Sequence, residues 1–150
     1  MLNMLNTEPN LYPLDPRFHN LSIRNLPLNR RQQLASYLNS EQILMSDSGY
    51  ARDYRGLAQQ LELPYSEISK LSNAIDPTSL LLQYHSVNKL SLMQLFRMIE
   101  IIGRYDILDD VCPGMVDDLD HLENQDQKNK NKVVEDDDKK NDVHSTKIGN

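Results

Sequence analysis

The sequence predicts an all-α protein, a bundle of six short helices. Three observations carry this. Apolar residues recur at helical spacing six times between residues 29 and 111. Capping residues stand where several of those repeats begin. No stretch alternates apolar and polar residues as a half-buried strand does, and no hairpin turn signal appears. Three segments mark helix starts or corners: Asp53-Tyr54-Arg55-Gly56-Leu57-Ala58, Asp76-Pro77-Thr78, and Gly103-Arg104-Tyr105-Asp106-Ile107-Leu108.

The first helix is expected over Asn29–Leu38, with Leu34, Tyr37 and Leu38 on one face. A loop follows through Ser46-Asp47-Ser48-Gly49. Tyr54, Leu57, Ala58 and Leu61 form an i, i+3, i+4, i+7 stripe, the core face of a second helix. Leu63-Pro64 ends it and opens a short third helix carrying Ile68 and Leu71. The fourth has Asp76 as N-cap and Pro77 at its first position, where a fixed φ helps and the missing N–H costs nothing. Ser91-Leu92-Met93-Gln94 is a capping box for the fifth, whose stripe is Leu92, Leu95, Phe96 and Ile99, with Ile102 and Met93 as further core positions. Gly103 suits the left-handed position after its last turn. A short sixth helix turns Ile107, Leu108 and Val111 inward, and Pro113-Gly114 is expected to stop it.

The organisation read from this is a mobile N-terminal arm over 1–19, with Pro9, Pro13 and Pro16; a helical domain over 20–112; a connecting segment over 113–122; and a disordered polar tail over 123–150. The tail holds seven acids and six lysines with almost nothing apolar to bury, so it cannot offset its ordering entropy. Its interrupted run Lys128–Lys132 reads as solvated charge. A single cysteine, Cys112, excludes an internal disulfide and suits a reducing compartment. The N-terminus lacks a signal-peptide pattern and no apolar run approaches a membrane span, so a cytoplasmic protein without membrane insertion is expected. Without secretion, the glycosylation acceptor Asn20-Leu21-Ser22 has no meaning.

A formal net charge of -6 argues against nucleic acid as the main partner. The distribution is uneven. Six arginines face three acids between Arg17 and Arg55, whereas seven acids face only Arg104 between Glu100 and Asp120. A domain with one basic and one acidic end can attract copies of itself. No catalytic residues, cofactor or metal ligands are expected. Cys112 and the histidines show no CxxC, HExxH or triad spacing, and Asp117, Asp118 and Asp120 lack the Gly and Glu of a calcium loop. Arg52 and Arg55 lie off the second helix's stripe. Arg104, at a helix corner, is a planar multi-donor group suited to a partner carboxylate.

In order and spacing, Leu28–Asn39, Asp53–Leu61, Glu67-Ile68 with Leu71, Asp76-Pro77-Thr78 with Leu81-Leu82, and Gly103–Leu108 resemble the death domain, a six-helix antiparallel bundle of the death-fold superfamily. More narrowly they resemble the death domain of the myeloid differentiation primary response adaptor family, over roughly residues 21–122. Tyr54 and His85 stand where that family has tryptophans. Gln59 replaces an acid used in assembly, and Arg104 matches an arginine at an assembly interface. The resemblance implies a non-enzymatic adaptor of Toll-like and interleukin-1 receptor signalling. It would self-associate and bind the death domains of receptor-associated kinases. The partner-binding residues expected are Arg30, Arg31, Arg52, Arg55, Gln59 and Arg104, with Glu100, Asp106, Asp109 and Asp110 as acidic counterparts. The segment over 113–122 then begins the family's intermediate segment. Receptor coupling requires a Toll/interleukin-1 receptor domain in the full protein; a short form without one would act as a decoy inhibitor. Other readings are a death domain from another adaptor or kinase of the pathway, or an unrelated helical scaffold that binds nucleic acid or a helix groove.

Overall fold

A computed structural model of the chain describes the backbone of residues 11–149 and the side chains of residues 11–132. It divides into two compact units, Met1–Pro113 and Gly114–Asn150. The helices are α1 (Leu28–Leu38), α2 (Tyr54–Gln60), α3 (Tyr65–Ser72), α4 (Pro77–Leu82), α5 (Leu92–Ile101) and α6 (Tyr105–Gly149). Two 3₁₀ turns, Pro16–Asn20 and Ile23–Asn25, precede them. Among the described residues β-pairing is confined to two isolated bridges, Ser22 with Ser91 and Met45 with Ala51. No helix there is long and apolar enough to cross a membrane.

Local chemistry accounts for the helix boundaries. Asp53 caps α2 by accepting from the Arg55 N–H at 2.9 Å. Asp76 caps α4 by accepting from the Ser79 N–H at 3.1 Å. The expected box at α5 is reciprocal: the Gln94 N–H donates to Ser91 Oγ at 3.0 Å and the Ser91 N–H to Gln94 Oε1 at 2.9 Å. Both α2 and α5 end in a Schellman motif. At α5 the Gly103 N–H reaches the Glu100 carbonyl at 2.9 Å and the Arg104 N–H the Ile99 carbonyl at 3.2 Å, with Gly103 at φ +72°. At α2 the left-handed residue is Glu62, φ +58°. There a side chain occupies the place glycine prefers.

The core of the first unit is aliphatic around one aromatic pair. Phe18 and Phe96, both fully buried, meet edge-to-face at 5.0 Å. Leu34, Leu38, Leu57, Leu71, Leu81, Leu92, Ile99, Ile107 and Leu108 are all at most 1% exposed. The six-residue α4 packs against α1, α2 and α3, and α2 also packs on α5. Asn39, at the end of α1, locks this arrangement: its amide N–H donates to Asp76 and its oxygen accepts from the Thr78 N–H, both at 2.9 Å. Gly56 permits the closest approach. A Cβ there would lie 1.8 Å from the Ala51 carbonyl oxygen.

Four expectations change. The arm is not loose from residue 11 onward: Asp15 caps a 3₁₀ turn and Phe18 is part of the core. Residues 1–10 of the expected arm lie outside the described residues. Pro113-Gly114 does not stop α6, whose backbone continues helical to Gly149 through the expected connector and tail. Between Met115 and Ile148 there is no glycine or proline, and Leu, Glu, Gln and Lys lose little rotamer freedom in a helix. In the second unit the described side chains from His121 to Lys132 are all exposed, so this stretch of helix has no buried face of its own. Tyr37 and Leu61 are half-buried, while Ala35 on α1 and Gly56 on α2, outside the expected stripes, are buried. His85 is exposed, and Val87 is buried two residues on.

Candidate interaction site

The ten residues expected to meet partners each make a hydrogen bond inside the chain. At the α5–α6 corner, Arg104 is only 7% exposed. Its guanidinium grips Asp106 through two bonds of 3.0 Å and donates to the Arg52 carbonyl at 2.7 Å. In return Arg52 donates to the Gly103 carbonyl at 3.3 Å. Arg104 thus holds the backbone of Arg52, and Arg52 that of Gly103, which ties the chain just before α2 to the corner. The Arg104 bonds hold the Asp106 carboxyl below its ordinary range. Arg104, expected as an outward anchor, is an internal tie.

Arg55 is likewise engaged. It pairs with the fully buried Asp53 at 2.7 Å and donates to the Gln42 carbonyl at 3.1 Å. Its bonds to the Asp53 carboxylate push the guanidinium further up. Arg31 donates to the carbonyls of Leu26 and Ile23, closing the second 3₁₀ turn. Gln59 accepts from the Ala51 N–H at 2.9 Å. Arg30 donates to Gln33, whose amide reaches the Asp110 carbonyl, and the Asp110 carboxylate accepts from the Tyr37 hydroxyl.

Glu100 pairs with Arg97 at 2.7 Å and accepts from the Tyr12 N–H at 2.7 Å, while Asp109 accepts from the Tyr12 hydroxyl at 2.6 Å. Acids and bases therefore interleave, and the expected basic and acidic ends are not separate. Linear charge counts miss this because Arg30 and Asp110 are brought together only by tertiary packing.

Tyrosine–carboxylate pairs recur in this framework. Tyr12 with Asp109, Tyr37 with Asp110, Tyr54 with Glu41 and Tyr84 with Glu67 join distant segments. Burial and then the Asp109 bond push the Tyr12 hydroxyl up; burial and Glu41 do the same to Tyr54. Burial first, and then the nearby Asp109 charge, hold the Cys112 thiol protonated by raising it to about 12. Among the described residues no group of three His, Cys, Asp or Glu side chains is placed to hold a metal ion.

The feature that the sequence reading missed lies in the α1–α2 loop. Ile43 is 97% exposed, Leu44 73% and Met45 53%. The loop presenting them is fastened on both sides. Before the tip, the Gln42 N–H donates to buried Asp53 at 2.7 Å. After it, the Ser46 N–H donates to the Tyr50 carbonyl at 2.9 Å, and Ser48 Oγ donates to the Ile101 carbonyl at 2.8 Å. Ile101 is itself 47% exposed. The available signal was three consecutive apolar residues between Glu41 and Ser46 that fit neither helical nor strand periodicity.

Comparison of the chain with protein-family models, with curated proteins and with solved structures finds no match.

Proposed function

We propose that this chain is a non-enzymatic assembly module, a death-domain bundle acting as a cytoplasmic signalling adaptor. It associates with itself and with the death domains of receptor-associated kinases in Toll-like and interleukin-1 receptor signalling. The observation that carries the proposal is the tip Ile43-Leu44-Met45, three apolar side chains held in water by a bonded loop. Side chains so displayed contribute nothing to the chain's own core, and contiguous exposed apolar surface marks protein contacts. The six-helix, all-α architecture and the sequence resemblance supply the class of partner. The module works by multivalency: contacts that are weak singly become avid once several copies are brought together.

The test is light scattering of the full chain, alone and mixed with a receptor-kinase death domain, against an Ile43→Glu, Leu44→Glu variant. Burying each of these side chains is worth about 1.5–3 kcal/mol. Losing both should therefore weaken assembly by about 100-fold or more. Both sites are exposed, so the variant keeps its fold. Equal assembly by both proteins would refute the proposal. Charge reversal at Arg55 is a poorer test, because it leaves buried Asp53 unpaired and disturbs the fold itself.

A further inference from the structure

The chain before the first 3₁₀ turn is fastened at one residue with unusual completeness. Tyr12 has its N–H on the Glu100 carboxylate and its carbonyl on the Arg97 guanidinium, both at 2.7 Å. Its hydroxyl is on Asp109 at 2.6 Å, and its ring stacks on Tyr105 at 6.2 Å. Backbone and side chain are read at once, by two successive helices. The Glu100 side chain is left 10% exposed.

We propose that residues 11–14 are an autoinhibitory strap, which covers Glu100, engages the exposed Asp109 carboxylate through the Tyr12 hydroxyl, and so withholds both from a cationic face of a second copy. The complementary face is Arg24 with Lys89. Arg24 is exposed and makes a long contact of 3.4 Å with Asn88, next to exposed Lys89. Arg97 lies on the strap's own face, bonded to one Glu100 oxygen and to the Tyr12 carbonyl, while the Tyr12 N–H holds the other Glu100 oxygen, the one that opening frees.

The strap can open locally. Asp15 is bonded to Arg17 and caps the turn that follows, and Phe18 is anchored in the core, so release of residues 11–14 stops at Asp15. Leu11 and Pro13 are exposed and Tyr12 and Leu14 half-buried, so the apolar surface that opening uncovers comes mainly from Tyr12 and Leu14. The Tyr12 hydroxyl, raised by burial and by Asp109, stays a donor at neutral pH. A strap that is closed most of the time lowers apparent affinity by the closed-to-open ratio, and removing it returns that factor.

The inference rests on the assembly reading above, and one set of concentration series by sedimentation separates the two. The full chain is compared with Tyr12→Ala, Tyr12→Phe and the Ile43→Glu, Leu44→Glu variant. Tyr12→Ala is expected to assemble at a concentration at least about tenfold lower than the unaltered chain, with Tyr12→Phe between them. A synthetic peptide of residues 9–16 should refill the emptied site of Tyr12→Ala and reverse the gain. The same peptide with Phe for Tyr should need about tenfold more. Reversal by added peptide also shows that the gain is not aggregation of an unfolded variant.

Assembly of Tyr12→Ala at the same or a higher concentration than the unaltered chain overturns the strap. So does a gain that survives Arg24→Glu, Lys89→Glu in the Tyr12→Ala chain. If the unaltered chain assembles and loses assembly on Ile43→Glu, Leu44→Glu, while Tyr12→Ala changes nothing, the strap alone is refuted. If no variant assembles at all, both proposals fail.

Discussion

Replacing Gly56 by alanine adds one methyl group and should be among the most damaging single changes available to this chain. The added Cβ would stand 1.8 Å from the Ala51 carbonyl oxygen, 2.9 Å from its carbon and 2.9 Å from Ile102 Cγ2. A tolerable carbon–oxygen contact is about 3.3 Å, so the backbones must part by roughly 1.5 Å. Neither side can move freely. The Ala51 N–H is held by Gln59 and its neighbour Arg52 is tied to Arg104, while Ile102 is fully buried at the end of α5. In an unobstructed helix the same change gains about 1 kcal/mol of propensity. Overpacking costs about 1–3 kcal/mol where side chains can adjust, and here the obstacle is backbone. The net expectation is a loss of at least about 3 kcal/mol, a large part of the roughly 5–15 kcal/mol that holds a domain folded. Urea denaturation followed by circular dichroism reads it as a lower midpoint at unchanged slope. A Gly56→Ala chain as stable as the original would refute the claim that α2 and the preceding loop are packed in backbone contact.

Three further outcomes can be checked in the same assay or close to it. Glu62→Gly should stabilise by about 0.5–1 kcal/mol, because it removes a Cβ from a left-handed residue, φ +58°, that closes α2. A midpoint shifted downward would contradict it. Thr78→Val should be neutral or stabilising by up to about 1 kcal/mol, since Thr78 Oγ1 is buried without a hydrogen-bond partner and the methyl fills the same space. Loss of stability would mean that the hydroxyl has a partner after all. Stability should fall at both ends of the pH range. Asp15, held down by Arg17; Glu67, held down by Tyr84 and Lys70; and Asp110, held down by Tyr37, contribute stability that is present above about pH 4 and lost as pH falls through their lowered folded values. Tyr12, Tyr37, Tyr54 and Tyr84 are raised, so their contribution is complete below about pH 10 and lost as pH rises through the folded values. Melting midpoints across pH, with tyrosinate absorbance followed at the alkaline end, test both limits. Ordinary titration of all four tyrosines in the folded chain would contradict the alkaline one.

Much of the helical framework was legible because its causes are local. Asp76 before Pro77, Ser91 with Gln94, and Gly103 after Ile102 announce their helix ends through hydrogen bonds that span three or four residues. The α6 boundary was misread for a complementary reason. Proline after the first turns of a helix removes one N–H and crowds one carbonyl, which is a cost of about 3 kcal/mol and not a prohibition. The N-terminal arm was misread because its order is entirely long-range. Phe18 is held by Phe96, and Tyr12 by residues on α5 and α6, none of which leaves a periodic trace near residue 12.

The candidate site was less legible than the fold, and the reason lies in how charge was counted. A sequence reading treats each arginine as available until it is assigned. In the folded chain Arg31, Arg52, Arg55 and Arg104 all donate to backbone carbonyls outside the α-helices. Those carbonyls belong to turns and corners, where the backbone cannot satisfy itself and water is partly excluded. A guanidinium with five donors is the residue best able to serve a carbonyl and a carboxylate together, as Arg104 does with Arg52 and Asp106. Arginine at a corner therefore signals a stiff corner before it signals a partner. Stiffness of this kind still serves recognition. Ile43 and Leu44 are presented by a loop whose anchor is Asp53, and Asp53 is held by Arg55. The charged residues read from the sequence thus bear on binding at one remove, by fixing the apolar tip in place before a partner arrives, which lowers the ordering cost of the contact.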